Sequence, residues 1–376
     1  MIEVLAEVRG RAGVITLNRP GAINSLTHAI VTRLAEVLGR WRDDDRVEVV
    51  VLTGAGERGL CAGGDVVALR DDALAGGTEG AAFWADEYTL NLAISRYPKP
   101  YVALMRGIVL GGGIGVSAHG SHRVVTEDTR VGMPETGIGF VPDVGGSHLL
   151  SRAGGLGLHL ALSGQHLGPA EAIEAGLADV HVPSKDLDAL VEQICDCGDP
   201  EVIESWAGQP EPALRADRGE LDRVYGAASV EEILAGLDDL SPSDGGAPSD
   251  DGAHGDDGDG WALDAARRIR RNCPMSLAVT LAHLRRAADL DLAAALDAEY
   301  AVSVHMQRRH DFAEGVRAQV VDKDRKPHWQ PATLAEVDPE EVAAVLGPLT
   351  ETRVSPLHLA EDTATSAPDL GGKDTP

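Results

Sequence analysis

Between residues 2 and 126, strand-like and helix-like stretches alternate, and this alternation restricts the fold more than any other feature of the chain. Residues 2–17 (IEVLAEVRGRAGVITL) alternate apolar and polar positions on both sides of Gly10–Gly13, the pattern of a β-hairpin. Asn18-Arg19-Pro20-Gly21 then breaks the strand. From Thr27 to Arg42, Ile30, Leu34, Val37, Leu38 and Trp41 recur at helical spacing, and Val47–Leu52 is an apolar run short enough for a buried strand. The ββαβ order returns with a strand over Tyr101–Val109, a helix starting at 113–119 and a strand over Arg123–Thr126. Strands and helices in alternation imply an α/β fold.

Residues 71–96 read as one helix with Phe83, Trp84, Tyr88, Leu92 and Ile94 on its apolar face, stopped by Pro98 and Pro100. His148–Ser163 and Pro169–Ala175 read as two helices, and Ala178–Val182 as a short strand. The segment 237–260 changes character: it holds eight Asp, no Lys or Arg, and many Gly, Ser and Pro. Such a stretch buries too little apolar surface to offset its ordering entropy, so it reads as an acidic disordered linker or loop. Helical spacing resumes from Trp261 to about Arg317. The organisation expected is a catalytic core over 1–200, a helical extension over 201–236, the linker, a helical region over 261–350 and a disordered tail over 351–376. No internal repeat of fixed period is present.

Sixty acidic residues against thirty-three Lys and Arg give a formal net charge of −27, which argues against nucleic acid as a partner. A small anion can still be held where local Arg residues and helix N-termini outweigh a distant field. The four cysteines, Cys61, Cys195, Cys197 and Cys273, form neither a disulfide scaffold nor a CxxC metal pair. No basic-then-apolar leader and no apolar run of membrane-spanning length is seen, so the expected location is the cytoplasm, with no membrane partner.

The chemistry is concentrated in Met105–Arg152, where a glycine-rich turn precedes a loop carrying Glu135 and Asp143. Glycines let backbone N–H groups approach a ligand closely, and two such groups aimed at one oxygen stabilise the oxyanion formed when a thioester is attacked. Two stretches have this character: Cys61-Ala62-Gly63-Gly64-Asp65, and Gly111-Gly112-Gly113 at a helix start. Gly113, Gly115 and Ala118 also fit a relaxed GxGxxA dinucleotide pattern, but far from an opening βαβ unit. No GxxxxGK[ST] and no GxSxG occurs. Glu135 and Asp143 lie among Met133, Pro134, Ile138, Phe140, Val141 and Pro142; apolar walls raise carboxyl pKa values and make such groups usable acids or bases near neutrality. Solvated loop carboxylates that cap a following helix are the plainer alternative. Cys61 reads as a packed small residue, since its sequence neighbourhood offers no base.

With these residues in view, the chain resembles the crotonase (enoyl-CoA hydratase/isomerase) superfamily, and within it the 3-hydroxyisobutyryl-CoA hydrolases. The resemblance rests on MPETGIGFVPDVGG (133–146), LCAGGD (60–65), RGIVLGGGIGVSAHG (106–120), CPMSL (273–277) and RRHDFAEGVRAQVVDKDRKPHW (308–329), and it spans Val4 to about Glu341. It implies a spiral of ββα units with a C-terminal helical region, assembled as a homo-oligomer, a trimer or a multiple of one. It implies an acyl-CoA substrate, a place in valine catabolism, and no separate cofactor; no metal-ligand set is visible in the sequence. Gly64 and Gly112 fall where the family's oxyanion-hole N–H groups lie, Glu135 on its shared catalytic glutamate, and Asp143 on the aspartate that the hydrolases carry. Coenzyme A is expected along Ala22–Leu26, including Ala22 and Asn24, and along Cys61, Ala62, Gly63, Asp65 and Gly111.

Typical hydratases place a second glutamate three residues after the middle glycine of their GGG turn, and here that position is Gly115. Thioester hydrolysis is therefore expected in preference to hydration, with Glu135 as base or as nucleophile. A lyase or isomerase using Glu135 alone and a non-catalytic acyl-CoA binder are the alternatives. His310, Asp311, Glu314 and Arg317 share a helical face and read as a charge network or, alternatively, as shaping the acyl pocket.

Overall fold

In the computed structural model, residues 2–241, 260–350 and 353–362 are described. Strands β1 (Val4–Arg9) and β2 (Ala12–Leu17) form the expected antiparallel hairpin. Helix α1 (His28–Arg42) follows, its Thr27 side chain accepting from Ile30 N, and leads to β3 (Val49–Gly54). Sequence spacing predicts one helix over 71–96; the structure has α2 (Val66–Ala75) and α3 (Glu79–Ser95), split where Gly76 adopts φ +63°.

The strand expected over Tyr101–Val109 is also two strands. β4 (Tyr101–Met105) stays in the main sheet, and β5 (Ile108–Leu110) leaves it after Gly107 turns at φ +58°. Helix α4 (Gly112–Ser117), β6 (His122–Val125) and β7 (Arg130–Gly132) come next. The short β7 carries little apolar patterning, and pairs with β5 in a two-stranded parallel sheet. The helix expected over His148–Ser163 divides into α5 (Gly146–Arg152) and α6 (Gly154–Ser163) at Gly154, which has φ +61°. Helix α7 (Pro169–Glu174), β8 (Val180–His181) and α8 (Leu187–Cys197) complete the α/β part.

The main sheet has the order β1-β2-β3-β4-β6-β8 and is parallel beyond the first hairpin. Both faces of its central parallel strands β2, β3 and β4 are largely buried, as parallel pairing demands, while the edge strand β1 is largely exposed. Ile15, Leu17, Val50, Leu52, Ala103 and Met105 point into the large core with the helices. Val14, Val49, Val51, Val102 and Leu104 point the other way, under Leu187, Leu190 and Ile194 of α8. This period-two division follows from the strand pleat.

Helices α9 (Arg218–Tyr225), α10 (Val230–Leu240), α11 (Trp261–Arg271), α12 (Pro274–Ala287), α13 (Leu292–Gln307) and α14 (His310–Val316) make up the helical region, which shares the large core with the sheet. The acidic segment begins later than expected. Residues 237–240 end α10, with Leu237 fully buried, and residues 242–259 lie outside the described part. Likewise 353–362 belong to the body: Leu359 is 5 % exposed, and its N–H donates to Asp297 at 2.8 Å. Residues 351–352 and 363–376 of the expected tail are outside the described part. Among the described residues no helix is long and apolar enough to cross a membrane.

Candidate active site

One chain crossing brings the glycine turns together. Cys61 bridges to Val109 of β5 in parallel fashion, and Leu110 N donates to Cys61 O at 3.0 Å. The Gly63-Gly64 backbone is thereby laid beside the Gly111-Gly112 turn. A Cβ on Gly112 would lie 3.3 Å from Gly64 N, and one on Gly63 would lie 3.6 Å from Gly112 N. Gly63 at φ +98° and Gly111 at φ +47° hold conformations that L side chains resist. Gly112 opens α4, so its N–H has no carbonyl one turn earlier to bond. Gly64 N donates to no backbone carbonyl among the described residues. Two N–H groups close together and available are what an oxyanion needs.

Glu135 starts a 3-10 turn (Glu135–Ile138) just past β7, whose pairing with β5 sets it against the glycine turn. A Cβ on Gly111 would stand 2.7 Å from Glu135 Oε1. The carboxyl is 7 % exposed, and Oε2 is buried with no hydrogen-bond partner. Burial first, and then the charge of Asp143, push its pKa well above the usual glutamate range. Asp143, 5 % exposed, accepts a hydrogen bond from Tyr88 Oη at 2.7 Å. Burial pushes its pKa up to about 7 while the Tyr88 bond works against the shift. Tyr88 Oη also lies 2.7 Å from Ser303 Oγ on α13. Since Tyr88 gives its proton to the carboxylate, Ser303 donates to Tyr88. The charge of Asp143 thus acts on the protonation of Glu135.

A third acid, invisible in the loop motif, enters from α3. Glu87 is 2 % exposed, with Oε1 buried and unpartnered, and that oxygen would be 2.6 Å from a Cβ on Gly112. Burial and then Asp143 push its pKa well up. One turn on, Asn91 is fully buried with both amide atoms unpartnered, and its Nδ2 would be 2.9 Å from a Cβ on Gly115. Val144 Cβ closes the same space at 2.8 Å. Gly112 and Gly115, three apart on α4, therefore receive Glu87 and Asn91, four apart on α3. The signal in the sequence was the break that Glu87 and Asn91 make in the apolar face marked by Trp84, Tyr88 and Leu92. Trp84 stacks on Phe140 at 5.3 Å, and Phe140 meets Phe312 at 5.4 Å, so aromatic rings wall this region.

Several residues expected at the coenzyme A end have structural roles. Asn24 is fully buried at φ +54°; its Oδ1 accepts from Arg19 N, and its Nδ2 donates to Ala55 O and Gly59 O. Its side chain offers a ligand nothing, because every polar atom pins a neighbouring loop. Asp65 caps α2 through Ala68 N and pairs with Arg19 at 2.8 Å. Cys61 is buried and its thiol is pushed up to about 12 by burial, which agrees with a packing role. Ala62 N donates to Ile23 O at 2.9 Å, tying its loop to the Pro20–Ala22 turn. Ala22, the last residue of that turn, is partly exposed, so there backbone and a small apolar surface are what a ligand could meet.

The charged face at the start of α14 divides. Arg317 pairs with Glu314 at 2.8 Å and with Asp322 and Asp324 at 2.7 Å each, the expected charge network. Asp311 is fully buried instead, accepting from Cys273 Sγ at 3.2 Å and Gln330 N at 2.8 Å.

The enoyl-CoA hydratase/isomerase family pattern matches residues 12–346. The chain is 39 % identical to the mitochondrial 3-hydroxyisobutyryl-CoA hydrolase of Danio rerio, over 93 % of this chain and 90 % of the relative. It is 37 % identical to that of Homo sapiens, over 90 % and 87 %. Among solved structures, a carnitinyl-CoA dehydratase from Mycobacterium thermoresistibile superposes with TM-score 0.85 at 47 % identity, covering 93 % of this chain and 97 % of that one. An enoyl-CoA hydratase from Rhodobacter sphaeroides 2.4.1 gives 0.82 at 40 %, covering 92 % and 98 %. The expected cytoplasmic location is corrected by the curated relatives, which are named as mitochondrial. Free thiols suit any reducing compartment and did not separate the two. By its sequence and its fold, the chain belongs to the enoyl-CoA hydratase/isomerase family.

Proposed function

We propose that the protein hydrolyses the thioester of a short branched 3-hydroxyacyl-CoA, with 3-hydroxyisobutyryl-CoA giving 3-hydroxyisobutyrate and CoA. The observation that carries this reading is the meeting of the Gly64 and Gly112 backbones beside Glu135, a buried carboxyl whose pKa is raised by burial and by the charge of Asp143. The thioester oxygen would accept from the two N–H groups. Glu135 as carboxylate would take a proton from water while the water oxygen bonds to the carbonyl carbon, the C=O pair moving onto oxygen. Collapse would break the C–S bond, and the thiolate would leave with a proton. In the covalent variant Glu135 itself attacks, giving a mixed anhydride that water opens. Asp143, held by Tyr88, would orient the substrate's β-hydroxyl. The reading includes assembly as a trimer or a multiple of one, which sedimentation equilibrium measures.

One observation favours a second reading. The missing glutamate at Gly115 does not leave a single glutamate here, because Glu87 reaches the same turn from α3. Glu87 with Glu135 is a pair that could serve water addition or loss, and the dehydratase and the hydratase above are named for that chemistry. Crotonyl-CoA distinguishes the readings: loss of the conjugated double-bond absorbance without free thiol supports the lyase, and thiol release from 3-hydroxyisobutyryl-CoA with crotonyl-CoA untouched supports the hydrolase. Solvent oxygen-18 found in Glu135 after a single turnover separates the covalent route from the general-base route.

A further inference from the structure

The backbone just after Asp143 holds an unfavourable conformation. Val144, a β-branched residue, sits at φ +54°, and Gly145 follows at φ +79°. A β-branched residue in the left-handed region is strained and persists only where surrounding contacts over-determine it. Those contacts come mainly from α13. Glu299 is fully buried, which pushes its pKa up to about 8 against the pull of its hydrogen bonds, and its carboxyl oxygens accept from Gly145 N at 2.6 Å, from Ser147 N at 2.9 Å and from Ser147 Oγ. Four residues along the same helix, Ser303 donates to Tyr88, which donates to Asp143. His119 Nε2 meets Val144 O at 2.7 Å and so must carry its proton there; a Cβ on Gly145 would be 2.6 Å from that ring.

From this we infer that Glu299 is a positioning residue for Asp143: its carboxyl group clamps the 144–147 backbone and so sets where the aspartate stands, while Tyr88, held in turn by Ser303, fixes the aspartate's oxygen. The helical region after residue 260 thereby becomes part of the working site and not a trailing support. The inference rests on the proposed hydrolysis only where turnover is used to read it.

The test uses the full-length protein and Glu299→Gln, with Ser147→Ala as a milder variant that removes one donor. Glu299→Gln turns one accepting oxygen into an amide that cannot accept. Amide hydrogen exchange at Gly145 and Ser147 reads the clamp without substrate. At least tenfold faster exchange is expected in Glu299→Gln, with a smaller effect in Ser147→Ala; unchanged protection in both overturns the inference. With 3-hydroxyisobutyryl-CoA, Glu299→Gln is expected to lower kcat at least tenfold with KM within threefold. The double variant Asp143→Asn/Glu299→Gln should be no slower than Asp143→Asn alone. Losses that simply add, or a rise in KM with kcat kept, would show that Glu299 does not act through Asp143. If the wild-type protein releases no thiol, the hydrolase reading fails, and the exchange measurement still decides the clamp.

Discussion

The Asn91 carboxamide and the Cα of Gly115 face each other across α3 and α4 with no room between them: any Cβ on residue 115 would come within 2.9 Å of Asn91 Nδ2 and 2.8 Å of Val144 Cβ. Restoring the hydratase-type glutamate at this position therefore requires displacing a buried amide and the residue next to Asp143. Gly115→Glu is expected to lower the melting temperature by several degrees, overpacking costing about 1–3 kcal/mol, and to gain no hydration of crotonyl-CoA. A stable variant that hydrates crotonyl-CoA would refute the packing argument.

Tyr88→Phe removes the hydrogen bond that favours ionised Asp143. Bonds to charged groups contribute roughly 1.5–3 kcal/mol, so kcat should fall about 10- to 100-fold. The Asp143 titration should move to higher pH, read as an upward shift of the corresponding limb of the kcat/KM profile. A shift to lower pH would contradict the assignment.

Asp143→Asn should do the reverse to Glu135. The aspartate's charge is the second cause of the raised Glu135 pKa, so removing it lowers that pKa. Any residual activity should then show its rising limb at lower pH than in wild type.

The same substitution bears on stability. A carboxyl raised to about 7 is neutral in the fold at a pH where the unfolded chain has it ionised, so the fold loses stability as pH rises from about 4 through 7. Asn does not titrate. Asp143→Asn should therefore raise the melting temperature at pH 8, by a free energy on the order of 2–4 kcal/mol, with the gain shrinking as pH is lowered toward 4. Thermal unfolding across that range checks it, and a gain that grows on acidification would contradict it.

Much of this site was legible in the sequence because its parts are local. LCAGGD and the GGG turn announce backbone that must come close to something, and Glu135 and Asp143 stand out among apolar neighbours. The strand-and-helix alternation likewise carried the sheet. Tertiary convergence was not legible. Glu87 and Asn91 lie on a helix face that reads as core, and only the glycines at 112 and 115 open a space for them. Glu299 is 156 residues from Asp143 and looks in sequence like any helical acid. Single glycines also decided more than the periodicity did: Gly76, Gly107 and Gly154 each split an element that reads as continuous. At Asn24 the structure adds what the motif did not show, a side chain wholly engaged by the fold.

Gly112→Ala examines the proposed oxyanion pair directly, because its methyl would stand 2.6 Å from Glu87 Oε1 and 3.3 Å from Gly64 N. Loss of one such donor's geometry typically lowers kcat by about 100- to 1,000-fold. The variant is expected to lose kcat on that scale, with acyl-CoA affinity, measured by calorimetry, changed far less.

The most direct measurement is free-thiol release from 3-hydroxyisobutyryl-CoA by the wild-type protein and by Glu135→Gln, with crotonyl-CoA run in parallel. The account predicts thiol release by the wild type, a loss of at least 1,000-fold in Glu135→Gln, and no consumption of crotonyl-CoA. Full activity in Glu135→Gln, or consumption of crotonyl-CoA without thiol release from the hydroxyacyl thioester, would contradict it.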